Sequence, residues 1–347
     1  MIKEMTIPCL YFSTIAIACL VTVLSLPLCR ALLGKYFLDT PGGLKHHAAA
    51  VPVLGGCAIF IGLTASLIFI RLTTNFPTGT LHSLRGILCG AAIIFALGIL
   101  DDLKKPQGLH FSVKLAVQCL TVLCLIRYGV HITLFDAPLL SYALTFLWVL
   151  GLTNAFNLLD IADGLCVSQA LVAALGLWLI ALPSEQLYIN FCACALVGAC
   201  IGFWPYNHTK KMKTFLGDSG STLLGFLLAA LTMGTGYSEH SHIGFLAPLL
   251  ILAVPLFDTG FVSIMRLLQR KNPLRGSPDH AALRLKNNAW SLRKILVLFI
   301  SAALFFNILA FAVTCLDEAY AILIYLLAAG LLTAAAVWLA RLHAPQP

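Results

Sequence analysis

An all-α, polytopic integral membrane fold is predicted by three observations: 60% of the residues are hydrophobic, only 10% are charged, and apolar runs recur along all 347 residues. Soluble domains carry about 25% charged residues, so a chain with a mean hydropathy of +0.94 has too few to cover a water-facing surface. A helix needs about 20 apolar residues to cross a bilayer. Eleven runs meet that pattern: 7–29, 51–70, 85–100, 111–128, 138–157, 165–183, 187–204, 219–237, 243–264, 292–315 and 319–340. The short gap at 184–186 also allows a count of ten. The first run exceeds a signal-peptide core and has no clear small-residue cleavage site, so it is read as a retained span. The chain, 1–347, is expected to form a single transmembrane domain.

Lysine and arginine placement orients the spans. With the N-terminus outside, the inner connections hold Arg30, Lys35, Lys45, Lys104, Lys105, Lys210, Lys211, Lys213, Arg266, Arg270, Lys271, Arg275, Arg284, Lys286, Arg293, Lys294 and Arg341. The outer connections hold only Lys3, Arg71, Arg85 and Arg127, and Lys114 lies within a span. The topology is therefore N-out and C-in. It accounts for the net charge of +8 without a nucleic-acid partner. All twelve cysteines sit in or beside apolar runs, and Cys192 and Cys194 form CxC rather than a paired zinc spacing. They read as small hydrophobes. No heptad array, low-complexity tract or internal repeat is seen.

On this topology five polar features gather on the inner face. Asp101 and Asp102 end the third span, and Asn154, Asn157, Asp160 and Asp163 recur every third residue. Asp218 lies in GDSGST, Asp258 in PLFDTG, and the last inner loop carries RGSPDHAALRL. Taken singly, each has an ordinary reading: a solvated stop, a loop, a helix end, a surface histidine such as His46, His47 or His280. Ionisable groups near hydrocarbon are nevertheless costly and mark function. Residues three apart share a helix face, so Asn157, Asp160 and Asp163 are expected to point into one polar cleft. The carboxylates at the negative end of a helix dipole call for a cation, and magnesium joins one or two carboxylates to substrate phosphates. Small residues around Asp218 permit close approach, and the helix starting after it is expected to offer free N–H groups to an anion. A metal–diphosphate site is the combined expectation.

These motifs resemble, in order, those of the polyprenyl-phosphate N-acetylhexosamine-1-phosphate transferase family (glycosyltransferase family 4), across about residues 36–290. KHHAAAVPVLGG is similar to the family's histidine-to-PxxGG stretch, and LDDLKKPQGLHFSVKLAVQ to its DD motif with a lysine at the next helix start. NAFNLLDIADGL is similar to NxxNxxDGxDGL, and FLGDSGSTLLGF to GDxGS. The likeness is to the enterobacterial-antigen and teichoic-acid initiating branch, related to the lipid I synthase.

The resemblance implies that undecaprenyl phosphate attacks the β-phosphorus of a UDP-N-acetylhexosamine, UDP-N-acetylglucosamine foremost. UMP leaves and a lipid-diphosphate sugar remains. It implies a bacterial inner-membrane enzyme with a cytoplasmic site on loops 30–50, 101–110, 154–164, 205–218 and 265–291. Magnesium is the implied cofactor, with manganese as a substitute, and a homodimer is admitted. Asn157 and Asp218 resemble the metal positions. Asp101, Asp102 and Asp160 resemble the catalytic acids, with Asp101 a candidate base. Lys114 resembles a phosphate-binding lysine and Asp163 the uridine-side residue. His47, Asn154, Arg275, His280 and Arg284 fall at other substrate-binding positions. Three departures stand out: Ile161 replaces a family glycine, the lipid I synthase's triple histidine is absent, and one histidine remains in SPDHAALRL. An ion-coupled secondary transporter and a non-catalytic membrane scaffold are the rival readings; clustering of the carboxylates at one end of the spans, away from the midplane, favours the enzyme over the transporter.

Overall fold

The computed structural model describes residues 7–39, 50–74, 80–134, 136–183, 187–209, 211–235, 237, 243–272 and 277–343. In order the elements are α1 (Ile7–Leu33), β1 (Leu38–Asp39), β2 (Val51–Pro52), α2 (Gly55–Thr73), α3 (Thr80–Leu103), α4 (Phe111–Arg127) and α5 (Pro138–Leu159). There follow α6 (Leu165–Ala181), α7 (Leu187–His208), α8 (Gly217–Gly234), a 3-10 turn (Gly244–Leu246), α9 (Ala247–Ile251) and α10 (Ala253–Leu268). The chain closes with α11 (Ala281–Asn287), α12 (Leu292–Cys315) and α13 (Glu318–Arg341). Each of the eleven expected runs overlaps helix, although 51–70 begins on β2 and 219–237 extends past the end of α8. Among the described residues, seven helices are long and apolar enough to cross a bilayer, or eight if the bent α9–α10 pair is one span. The chain is a multi-pass, all-α membrane protein.

Two compact units are distinguished, 1–157 with 184–235, and 158–183 with 236–347. In the first, α1 packs on α2 and α7, and α3 packs on α4 and α8. α1 shows how these helices suit lipid. Its buried face carries Thr14, Ala18 and Thr22, while Leu20, Leu24, Leu28 and Leu32 are 58–63% exposed. Lipid is as apolar as leucine, so small and polar residues turn inward and leucines outward. Gly198 and Gly202 of α7 lie against the α1 backbone at Ile15 and Cys19, where a side chain would collide.

The PVLGG segment is stitched to the start of α8. β1 and β2 pair antiparallel through Leu38–Pro52 and Asp39–Val51. Phe215 N donates to Pro52 O at 2.9 Å, and Gly55 N and Gly56 N donate to Phe215 O and Leu216 O at 3.0 and 2.9 Å. These bonds hold the backbone just before GDSGST.

In the second unit α6 packs on α12, with Gly176 opposite the Asn307 side chain. Leu159, Leu165, Phe261, Leu285, Ile295 and Phe299 form its core. The expected run 243–264 is interrupted: α9 and α10 meet at a 69° bend. Pro255 supplies the cause, because its ring and missing N–H disallow the helical bond to Ile251.

Candidate active site

Within the first unit, four helix ends bring the expected residues together. Asp101 and Asp102 occupy the last turn of α3, Lys114 the first turn of α4, Asn154 and Asn157 the end of α5, and Asp218 the start of α8. The approach of α3 to α8 depends on Gly98, where any Cβ would run into the Ser219 backbone.

Asp101 and Asp102 are adjacent in sequence but about 100° apart around the helix, and they do different things. Asp101 accepts from Leu109 N at 2.5 Å and from the Lys114 ammonium. Lys114 Nζ also donates to Asp218 Oδ2 at 3.1 Å, so one ammonium bridges two carboxylates. Asp102 instead accepts from Asp218 N at 2.9 Å and Ser219 N at 3.0 Å. The α8 N–H groups expected to face an anionic ligand are thus satisfied internally, because a buried carboxylate already sits at the positive end of that helix. Asp102 faces α8 and takes no place in the cleft lining.

Lys105 has no role in the sequence reading beyond topology. It forms a second bridge, to Asp102 Oδ1 at 2.8 Å and Asp218 Oδ1 at 3.2 Å. Burial alone would lower its pKa; Asp102 and Asp218 outweigh that and hold its ammonium above the ordinary lysine range. Both oxygens of Asp218 therefore face lysine ammoniums.

Asn157 donates to Ser221 Oγ at 3.0 Å, fixing its amide beside α8. Asn154 pairs reciprocally with Gln118, Nδ2 to Oε1 at 2.9 Å and Nε2 to Oδ1 at 3.4 Å. Asp101, Lys114, Gln118, Asn154, Asn157 and Asp218 line one cleft. Its space for the centre of a water molecule is about 20 Å³, enough for one water or small ion. Gln118 and Ser221 were legible only as a motif glutamine and a loop serine.

Of the other expected residues, Asp160, Asp163, His280 and Arg284 lie in the second unit. Asp160 and Asp163 do not continue the α5 face: the helix ends at Leu159, and both sit half-buried in the turn leading to Gly164, whose φ is +77°. The expected helical row therefore stops at Asn157. Ile161, the departure from the family glycine, packs against the core cluster. His280 is buried, with Nδ1 2.7 Å from Asp258 Oδ2, while Ala281 N donates to Asp258 Oδ1 at 2.8 Å. Asp258 thereby both orients the histidine and caps α11.

Arg284 is buried in the second unit. At 2% exposure it donates to Asp279 Oδ1 at 2.7 Å and to the Leu339 and Leu342 carbonyls at 3.3 and 3.2 Å. These bonds tether α11 to the end of α13. Burial would raise the Asp279 carboxyl, but Arg284 and Ser277 hold it below the usual carboxylate range. His47 and Arg275 lie outside the described residues.

The fold and the cluster define a class: a polytopic membrane protein with a lysine-bridged carboxylate site where helix ends converge. The sequence profile of glycosyl transferase family 4 matches residues 84–236, which include that cluster. A probable undecaprenyl-phosphate N-acetylglucosaminyl 1-phosphate transferase of Bacillus subtilis is 32% identical over 280 residues, 77% of this chain and 75% of the relative. An undecaprenyl-phosphate alpha-N-acetylglucosaminyl 1-phosphate transferase of Thermotoga maritima is 32% identical over 278 residues, 79% of this chain and 80% of the relative. A phospho-N-acetylmuramoyl-pentapeptide-transferase of Streptococcus agalactiae is 29% identical over 338 residues, 86% and 96%. The chain belongs to glycosyl transferase family 4.

Proposed function

We propose that the chain transfers N-acetylglucosamine 1-phosphate from UDP-N-acetylglucosamine to undecaprenyl phosphate. UMP is released, and the lipid-diphosphate sugar begins a cell-envelope glycan. The observation that carries this reading is the Asp101–Lys114–Asp218 bridge at converging helix ends. The Bacillus and Thermotoga relatives, both named for N-acetylglucosaminyl 1-phosphate transfer, support the choice of sugar. Family membership also weighs against the transporter and scaffold readings.

In this reaction an oxygen of the lipid phosphate bonds to the β-phosphorus of the donor. The bond from that phosphorus to the oxygen bridging the α-phosphate breaks, and UMP leaves with the electron pair. A phosphate monoester dianion is already nucleophilic, so positioning and charge neutralisation supply most of the acceleration. Asp101 accordingly holds Lys114 in place, and Lys114 neutralises incoming phosphate. Asn154 and Gln118, bonded to each other, brace part of the cleft lining. Asp102 positions Asp218.

Magnesium fits the cleft by donor chemistry. Asp101, Asp218 and Asn157 offer oxygen, and an ammonium already lies between the two carboxylates. Among the described residues no three His, Cys, Asp or Glu side chains suffice to hold a metal alone. Substrate phosphates would complete the shell. Bound there, the ion would neutralise charge on the diphosphate. Manganese has the same ligand preference.

We place the cleft at the cytoplasmic face of a bacterial inner membrane, N-out and C-in, on the excess of lysine and arginine in the connections beside it. We also read α4, α6 and α8, at 17, 17 and 18 residues, as short spans, which restores the count of eleven. Purified protein given undecaprenyl phosphate, magnesium and a panel of UDP-N-acetylhexosamines should release UMP fastest with UDP-N-acetylglucosamine. No release from any donor by folded protein would count against the reading.

A further inference from the structure

We propose that Lys114 is an exchangeable counter-ion: its ammonium fills the divalent-cation position between Asp101 and Asp218 until a metal arrives. It then gives up Asp218, keeps Asp101, and turns its remaining donors to substrate phosphate. This rests on the reading of Asp218 as a metal ligand.

The geometry separates the two lysines. Both oxygens of Asp218 face an ammonium, Lys105 at 3.2 Å and Lys114 at 3.1 Å, so an incoming cation must displace one of them. Lys105 is anchored by Asp102, which is itself pinned by two backbone N–H groups and has a side chain of 0% exposure. Lys114 lines the cleft, Lys105 does not, and the Lys114 side chain is 28% exposed on a flexible four-carbon stem. The cleft has room for about one small ion. Lys114 therefore has the space and the freedom to move.

Charge explains why exchange serves the reaction. Three carboxylates against two lysines leave the cluster with one formal negative charge. A divalent ion reverses that sign, and the displaced ammonium adds a donor for phosphate. Metal and phosphate binding become coupled, and the coupling is reciprocal.

The test measures Mn2+ binding to detergent-purified full-length protein, by the loss of free Mn2+ signal in electron paramagnetic resonance. Lys114→Met removes the competing charge at similar length. It should bind Mn2+ about tenfold tighter than wild type without substrate, although transfer falls. Lys114→Arg keeps the charge and should bind Mn2+ as wild type does. Added UDP should tighten Mn2+ binding in wild type more than in Lys114→Met. Mn2+ affinity that is unchanged or weaker in a Lys114→Met protein of wild-type thermal stability overturns the exchange. Failure of the metal reading looks different: neither protein binds Mn2+, Asp218→Asn changes nothing, and transfer persists in chelator.

Discussion

Replacing Asp102 by alanine removes the acceptor at the start of α8. Asp218 N and Ser219 N, now bonded at 2.9 and 3.0 Å, would be left without it in a buried position. Each unmet buried donor costs about 1–3 kcal/mol. Losing the Lys105 pair adds less, because that lysine is 22% exposed and screened by solvent. A loss of roughly 3–5 kcal/mol is therefore expected. Thermal unfolding in detergent measures it, alongside UMP release. Activity should fall at least about 100-fold, because the α8 turn that carries Asp218 loses its anchor. The informative comparison is with Asp218→Ala, which should abolish turnover with little loss of stability, since both of its lysine partners remain partly exposed. An Asp102→Ala protein as stable as wild type would refute the capping role.

Three further outcomes follow. Gly98→Ala should destabilise the α3–α8 contact by about 1–3 kcal/mol, as overpacking does, and reduce transfer; denaturant titration and UMP release check this. Arg284→Met strands Asp279 in a buried site and should cost about 3–5 kcal/mol, seen as a lower unfolding temperature. The same pair sets a pH dependence. The folded pKa of Asp279 is depressed, so its contribution is present above the ordinary carboxylate range and lost as pH falls from about 5 toward 3. Stability profiles of wild type and Arg284→Met should converge over that window; parallel profiles would contradict the pairing.

Much of the fold was legible because lipid imposes one rule, long apolar helices, and each expected run overlaps helix. The break at Leu252 was hidden by an unbroken apolar run, although Pro255 was its signal. The three-residue spacing through Asp163 read as one helical face, but the Asp163–Gly164 turn dipeptide marked the end of that pattern. Asp101 and Asp102 form one motif in sequence; only their different bearings on α3 and the position of α8 separate cleft from cap. Lys105 was masked by its usefulness as a topology signal. The charge of Arg284 is visible in the sequence, but its bonds to Asp279 and to the Leu339 and Leu342 carbonyls depend on long-range packing.

In the proposed reaction a sugar phosphate, not a sugar alone, moves to the lipid through the Asp101–Lys114–Asp218 cleft. Labelling the β-phosphorus of UDP-N-acetylglucosamine tests it most directly, with organic extraction after incubation with undecaprenyl phosphate and magnesium. Label should appear in the lipid phase and unlabelled UMP in water, with transfer lost in Asp218→Ala. Label retained in aqueous UDP, or transfer unchanged in that variant, would contradict it.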